Sequence, residues 1–501
     1  MCKIGILFLN REFEHDVYEL IKAFYPGKEI CVSYEETQEK YEIYFCVKKE
    51  KDSFLIQYTG EGHRGTACAS VIQGQSKDAL ISCPGQKDPH EIRKENKDGI
   101  KAALYQVLVK MTGRTLPWGN LTGIRPVKLA MGMIESGMKN TEVAQEMRSR
   151  YFVSPKKTAL AVTIANRERE ILKNIDYENG YSLYIGIPFC PSICLYCSFS
   201  SYPLSRWKDK VDAYLDALCK EIRAVSSMMR GRKLDTIYIG GGTPTTLLPN
   251  QLERLLDQIG ESFGYKGLEE FTVEAGRPDS IDESKLMTLK RYPVSRISVN
   301  PQTMNQATLD LIGRQHTVEQ TKDAFKKARA CGFDNINMDL IVGLPGEDLS
   351  MVQHTLAEVR ALAPDSLTVH SLAVKRAARL NIFRDQYQEM TFENSQEIMD
   401  LTMETAYEMG MGPYYLYRQK NMKGNFENVG YAKVDKAGIY NILIMEEKQP
   451  IIALGAGGSS KLVFDHGSRI ERVENVKDVT NYIERIEEMI ERKRAGITAW
   501  L

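Results

Sequence analysis

Residues 184–201 read YIGIPFCPSICLYCSFSS: an apolar run that stops at Pro188 and then delivers Cys190, Cys194 and Cys197 within eight residues. The run of aromatic and β-branched residues predicts a strand to about residue 187. Pro191 and the tight spacing predict a loop for the cysteines, not a helix face. Thiolates are soft ligands that suit zinc or iron–sulfur centres. A structural zinc site takes four ligands, usually as two pairs. Here the spacing is CxxxCxxC and position 199 is Phe, so zinc is the weaker reading. Three thiolates this close can share one metal cluster, and a four-iron cluster held by only three cysteines would keep one iron open for a further ligand.

Outward from this loop one texture repeats. SLYIGIPF is followed by helical spacing over 207–229, LDTIYIG (234–240) by 250–262, and FTVEA (271–275) by 282–291. RISVNP (296–301) is followed by one or two helices over 305–330, NINMDLIVG (335–343) by 349–362, and DSLTVHSLA (365–373) closes the series. Six strand–helix repeats predict βαβ crossovers, a parallel sheet, and an α/β fold of the partial (β/α)6 TIM-like barrel type. In such a barrel the chemistry lies at the C-terminal ends of the strands. Cys190 follows the first strand, Gly240–Gly242 end the second and Glu274 ends the third. Gln302 follows the fourth, Asp339 lies within the fifth and Ala373 ends the sixth. The GGGTP run (240–244) either lets backbone approach a ligand closely or is a tight turn. Glu274 and Asp339 are carboxylates in apolar strands, and buried charge is expensive unless paired. Either they form salt bridges, with Arg314 or Arg277, or they hold a ligand bearing hydroxyls and an amine.

The flanks are plainer. Residues 1 to about 90 read as a small α/β unit, with strands at 3–9, 41–49 and 52–58 and a helix at 14–25. From 91 to 175 the chain reads as helical, interrupted by PWGNLTGIRP (117–126), which is either a helix–helix connector or a functional loop. The expected domains are 1–175, of unassigned role, the barrel over 176–385, and an α+β extension over 386–501 that covers the barrel. Within that extension 393–410 reads as a helix, 413–418, 439–446 and 450–454 as strands, and 473–496 as an amphipathic helix ending at Gly496.

Lys+Arg and Asp+Glu are both 66 in 501 residues, and this zero net charge argues against a general nucleic-acid or membrane-surface binder. No apolar run reaches the roughly 20 residues of a membrane span, and the N-terminus lacks the pattern of a cleaved leader. Of ten cysteines, those outside the one cluster read as reduced thiols. The expected compartment is the cytoplasm.

Together these pieces resemble the radical S-adenosylmethionine enzymes, in which a CxxxCxxC loop holds a 4Fe-4S cluster. Within them the sequence is most similar to the oxygen-independent coproporphyrinogen III oxidases (dehydrogenases). The carriers are IPFCPSICLYC, YIGGGTPT, FTVEAGRPDSI, RISVNPQTMN with LIGRQH, and NMDLIVGLPGE, in the family's order over about 180–375. The N-terminal third, GIRPVKL and HSLAVKRAARL resemble the longer HemZ-type branch. The resemblance implies that Cys190, Cys194 and Cys197 ligate the cluster, and that Tyr184 and Tyr196 lie by the cluster and adenine. It implies that Gly241, Gly242 and Thr243 contact the methionine part of S-adenosylmethionine. Glu274, Gln302, Arg314 and Asp339 would hold cofactor, in one copy or two, and Ala373 would meet adenine. Tyr184, Gln302, Arg314 and Asp339 form the implied catalytic set. The implied reaction removes hydrogen from the β-carbon of a propionate and releases carbon dioxide, twice per coproporphyrinogen III. The implied electron donor is reduced flavodoxin or a ferredoxin-type protein.

The substrate carries four carboxylates, so Arg277, Lys375, Arg376, Arg379, Arg418 and Lys420 are candidates for its pocket. Two positions depart from the family: Gly186 stands where His is frequent, and Phe199 where a further Cys is frequent. The Phe form also occurs in the haem-chaperone branch, whose HNxxYW motif is replaced here by ENVGYA (427–432). A haem carrier of this fold, or another radical reaction on a tetrapyrrole, are the alternatives.

Overall fold

The computed structural model of the protein describes residues 3–36, 39–51, 53–71, 89–123, 125–373, 378, 394–418 and 426–501. The chain divides into two compact units: Met1–Thr163 with Arg418–Phe426, and Ile164–Tyr417 with Glu427–Leu501.

In the first unit β1 (Lys3–Phe8), β2 (Glu29–Ser33), β3 (Ile43–Lys49), β4 (Ser53–Gly60) and β5 (His63–Ser70) form a sheet of order β2-β1-β3-β4-β5. β1 runs parallel to both neighbours, and β3, β4 and β5 form an antiparallel meander. α1 (Glu14–Phe24) buries Val17, Leu20, Ile21 and Phe24, the spacing of a single helical face. α2 (Pro89–Thr112) adds Ile100, Leu104 and Leu108 to the same core. α3 (Pro126–Glu135) and α4 (Asn140–Ser149) follow, and α5 (Pro155–Ile171) contains the division between the units at Thr163. β5 escapes a reading from sequence because HRGTACAS is an edge strand with one buried position.

In the second unit β6 (Gly180–Ile187) leads into the cysteine loop, which is bracketed by a short parallel ribbon of β7 (Phe189–Cys190) and β8 (Tyr202–Pro203). Then come α6 (Leu204–Trp207), α7 (Val211–Met228), β9 (Lys233–Gly241), α8 (Pro249–Phe263), β10 (Glu270–Glu274) and α9 (Glu283–Lys290). β11 (Arg296–Ser298), α10 (Gln306–Leu311), α11 (Val318–Ala330), β12 (Ile336–Val342), α12 (Leu349–Leu362) and β13 (Ser366–Ser371) complete the series. Each barrel strand from β6 to β13 pairs in parallel with the next. This is the partial (β/α)6 TIM-like barrel that the six repeats predict. The crossover helices turn apolar stripes to the sheet, as with Leu252, Leu255, Leu256 and Ile259 of α8. Their starts are fixed by side-chain caps: Asp282 on α9, Thr317 on α11 and Asp348 on α12.

The remaining chain extends both edges of this sheet. α13 (Gln396–Glu408) precedes β14 (Gly412–Tyr417) and β15 (Asn428–Ala432), and β15 adds antiparallel to β13. α14 (Ile439–Glu446) is followed by β16 (Ile451–Leu454), parallel to β6, and by β17 (Ser459–Phe464) and β18 (Arg469–Glu474). α15 (Val479–Glu484) and α16 (Ile486–Trp500) end the chain.

Two expectations are corrected here. Residues 439–446 form a helix, not a strand. The run IYNILIME is apolar nearly throughout, and a short run of that kind does not reveal its period. Residues 473–496 are not one helix. β18 takes the first two, two helices follow, and α16 continues through Gly496 to Trp500. Gly496 is an approach point: a Cβ there would stand 2.5 Å from Val473 Cγ2.

Candidate active site

The cysteine loop is held on two sides. On one, the Gly242 N–H donates to the Ile187 carbonyl (2.8 Å) and the Thr243 N–H to the Phe189 carbonyl (2.8 Å). The GGGTP run is thereby stitched to the root of the loop. A side chain at 242 would collide, since its Cβ would lie 2.6 Å from the Phe189 carbonyl oxygen. On the other side the Leu195 N–H donates to the Ile312 carbonyl (2.9 Å), and the Ser192 hydroxyl to the Gly313 carbonyl (3.0 Å). The LIGRQH segment is therefore a wall of the loop. A Cys197 N–H to Cys194 carbonyl bond of 3.1 Å closes the turn between those two cysteines.

Cys194 is buried, and Cys190 and Cys197 are half-buried. Burial pushes the Cys190 thiol up to about 11, against a Thr243 hydroxyl contact of 3.6 Å that favours the thiolate. Burial likewise raises the Cys197 thiol, and Cys194 adds to the shift. Thiols that resist ionisation in a bare site, as those of Cys190 and Cys197 do, become thiolates when a cationic centre binds them. Among the described residues no three His, Cys, Asp or Glu side chains close on one point as a single-ion site would require. A four-iron cube takes each cysteine on a different iron, so its sulfurs need not converge in that way.

Next to the loop, Arg314 is buried, with Nη2 donating to the carbonyls of Gly276 (3.1 Å) and Asn300 (2.5 Å). Its Nη1 reaches the Tyr196 hydroxyl (3.2 Å) and lies 3.9 Å from the Cys194 sulfur. Gln302 adopts φ 69°, in the left-handed region, and bridges onto β12. Its N–H donates to the Asp339 carbonyl (3.0 Å) and its carbonyl accepts from the Ile341 N–H (2.9 Å). Its side-chain oxygen Oε1 is buried without a hydrogen-bond partner. A strained non-glycine backbone costs about 1–3 kcal/mol and is concentrated at functional sites.

The two barrel carboxylates behave differently. Burial pushes Glu274 up to about 7, against a hydrogen bond from the Tyr238 hydroxyl, and nearby Asp339 adds to the rise. Burial also opposes ionisation of Asp339. There, however, hydrogen bonding and charge from His370, with the Asn337 amide, win and hold the carboxyl below its usual range. Asn337 Nδ2 is 2.7 Å from Asp339 Oδ1, His370 Nε2 is 3.8 Å from Oδ2, and the Tyr417 hydroxyl is 3.2 Å from His370 Nδ1. Neither carboxylate forms the salt bridge to Arg277 or Arg314 that the sequence left open. Tyr184 stacks on Tyr238 (6.2 Å between centroids) and Tyr440 (6.4 Å), and its hydroxyl lies 3.1 Å from where a Cβ on Gly241 would stand. Ala373 follows β13 and is half-buried.

The sequence-derived residues thus gather at the C-terminal ends of adjacent parallel strands. Sequence reasoning missed Tyr238, Tyr440, His370 and Tyr417. Tyr238 was legible as the position two before Gly240 and so on the same face. Tyr440 was hidden by the misread helix. Among the basic candidates, Arg277 is a buried fork on Asp279 (2.7 Å), not a free cation facing a pocket. Arg418 belongs to the first unit, buried, with Nη1 on the Leu121 carbonyl (2.6 Å). Lys375, Arg376, Arg379 and Lys420 lie outside the described residues. ENVGYA is largely strand β15, where Asn428 Oδ1 accepts the Ser371 N–H (2.8 Å) and Glu427 is 1% exposed.

Comparison with known proteins agrees with this geometry. Residues 184–359 match the model of the radical SAM superfamily. The chain is 40% identical over 407 residues to the oxygen-independent coproporphyrinogen-III oxidase-like protein HemZ of Bacillus subtilis, spanning 80% of this chain and 81% of that one. It is 36% identical over 232 residues to the haem chaperone HemW of Lactococcus lactis, spanning 45% and 59%. Among solved structures, coproporphyrinogen III oxidase HemN from Escherichia coli, described as a radical SAM enzyme, superposes with a TM-score of 0.51. That match has 24% identity and covers 64% of this chain and 72% of that one. Among the described residues no helix is long and apolar enough to cross a membrane.

Proposed function

The chain belongs to the oxygen-independent coproporphyrinogen III oxidase-like family of the radical SAM superfamily, and on that premise we propose that it oxidatively decarboxylates two propionates of coproporphyrinogen III to give protoporphyrinogen IX. The family implies a 4Fe-4S cluster and S-adenosylmethionine. The residues present fit both: three cysteines on one loop, a glycine cradle with no room for a Cβ at 242, and an unpartnered buried amide oxygen on Gln302.

In this reading Cys190, Cys194 and Cys197 would hold the cluster, and S-adenosylmethionine would bind beside it. When bound, the pair supplies a one-electron cleavage that yields a carbon radical able to remove hydrogen from an unactivated carbon. The chain's own part is orientation. Gly241, Gly242 and Thr243 line the methionine part, and Tyr184, Tyr196 and Ala373 flank the adenine. Arg314 offers a fixed positive charge next to Tyr196. Asp339, ionised and aimed by Asn337 and His370, accepts hydroxyl donors. Glu274, pushed up to about 7, is divided between its protonated and ionised forms near neutral pH and so is suited to donate one hydrogen bond as well as to accept. A second cofactor molecule, a flavodoxin- or ferredoxin-type donor and a cytoplasmic setting belong to the same proposal.

The observation that carries it is the gathering of these residues at one end of six parallel strands, around a loop that offers three cysteines and no fourth. The haem-carrier reading is weakened by Glu427, which stands where the chaperone branch has His and is buried beside its own sheet. Anoxic incubation with coproporphyrinogen III, followed by mass analysis of the tetrapyrrole, separates the readings. Loss of two carboxyl groups supports the proposal. Tight stoichiometric haem binding with an unaltered substrate favours the carrier, and any other mass change favours a different radical reaction.

A further inference from the structure

Of the three cysteines, Cys194 stands apart in what surrounds it. Cys190 meets a neutral hydroxyl, but Cys194 faces two guanidinium groups. Arg277 Nη1 lies 3.7 Å from its sulfur and Arg314 Nη1 3.9 Å. Arg314 is engaged chiefly with backbone carbonyls and Tyr196. Arg277 is built differently. It is 3% exposed, and its Nε and Nη2 grip Asp279 Oδ1 and Oδ2 at 2.9 and 2.7 Å. That bidentate fork leaves Nη1 to face the cysteine loop. Nη1 also donates to the Ser192 hydroxyl (3.0 Å), which fixes it against the cysteine loop. Behind them His316 is buried with neither ring nitrogen partnered, and burial with Arg314 and Arg277 drives it down to about 3, so it stays neutral. The local charge is thus two guanidinium cations facing the sulfur and one carboxylate on the far side of Arg277.

We propose that Arg277 is a positioning residue that sets the reduction potential of the cluster by donating a charge-assisted hydrogen bond to the Cys194 sulfur. The inference rests on Cys194 being a cluster ligand. Adding one electron to the cluster places more negative charge on its sulfurs. A buried cation and an N–H donor at one of them stabilise that state over the oxidised one. Arg277 therefore makes the cluster easier to reduce, and Asp279 serves to aim it. The electron comes from an external low-potential donor, which is dithionite in the test below.

The test is a potentiometric titration of the reconstituted full-length chain, followed by electron paramagnetic resonance, without turnover. Arg277→Gln keeps a hydrogen-bond donor and removes the charge. It is expected to retain about four irons per chain and to shift the reduction equilibrium against reduction by about tenfold, 59 mV for one electron. Arg277→Lys, which keeps the charge, is expected to recover most of the shift. If Arg277→Gln takes up no iron, Ser192→Ala carries the test, because it releases Nη1 without changing any charge: its expected result is a smaller shift in the same direction. A titration curve of Arg277→Gln, or failing that of Ser192→Ala, that coincides with the parent overturns the inference. A parent chain that binds no iron defeats the cluster reading itself, and is told apart by its iron content alone.

Discussion

Glu274 at the end of β10 accepts a hydrogen bond from the Tyr238 hydroxyl on the neighbouring parallel strand β9, inside the barrel. Burial pushes this carboxyl up to about 7. A carboxyl whose pKa rises on folding binds more protons in the native state, so its contribution to stability falls as pH climbs from the ordinary carboxylate range to about 7. Glu274→Gln removes that fall. Relative to the parent, the variant is expected to gain on the order of 2 kcal/mol between pH 5 and pH 8. Urea unfolding of the metal-free chain at the two pH values checks this, and a pH-independent difference contradicts it.

Gly242 and Gly186 are predicted to respond oppositely to one methyl group. A Cβ at 242 meets backbone oxygens at 2.6 and 2.9 Å, which cannot move without opening the root of the cysteine loop. At 186 the nearest atoms are at 3.4 and 3.5 Å, ordinary contacts. Gly242→Ala is expected to cost about 1–3 kcal/mol and to impair iron uptake, while Gly186→Ala costs less than about 1 kcal/mol. Thermal melts and iron content of the two variants decide it.

Lys493 and Glu221 form an ion pair of 2.6 Å that is almost wholly buried, with the Glu221 carboxylate also taking Asn475, Tyr482 and the Gly455 N–H. Lys493→Met leaves a buried charge uncompensated and is expected to destabilise the chain by about 3–5 kcal/mol. Adding Glu221→Gln should return part of the loss. Additive losses in a double-mutant cycle would contradict the coupling.

Asp339→Asn keeps the shape of the side chain and removes the charge that His370 and Asn337 aim. If Asp339 grips a hydroxyl of the cofactor, S-adenosylmethionine binding weakens by roughly 10- to 100-fold. The iron–sulfur absorbance is expected to stay unchanged. Equal affinity in equilibrium dialysis overturns the assigned role.

The barrel was legible because each βαβ unit repeats a period change, from strand to helix, and the chemistry-bearing residues fall at one fixed place in that repeat. Cys190, Gly241, Glu274, Gln302 and Asp339 could be placed on the strands that way. What surrounds them could not. The backbone strain at Gln302 has no signal in the sequence. Tyr440 reaches Tyr238 (4.6 Å between centroids) from a helix whose uniform apolar run reads equally well as a strand. Arg277 reads as a free cation until the fold curls Asp279, two residues on, back onto its guanidinium. β17 and β18 were missed because their alternation is blurred by charged residues such as Lys461, Arg469 and Glu471.

The most direct measurement is an anoxic turnover of the reconstituted chain with coproporphyrinogen III, S-adenosylmethionine, a reductant and an electron acceptor. Carbon dioxide, 5′-deoxyadenosine and the tetrapyrrole product are quantified together. The expected result is two carbon dioxide released per protoporphyrinogen IX formed, with product absent when Cys194 is replaced by Ala. Cofactor cleavage and an intact cluster without carbon dioxide or vinyl product would contradict the proposed reaction.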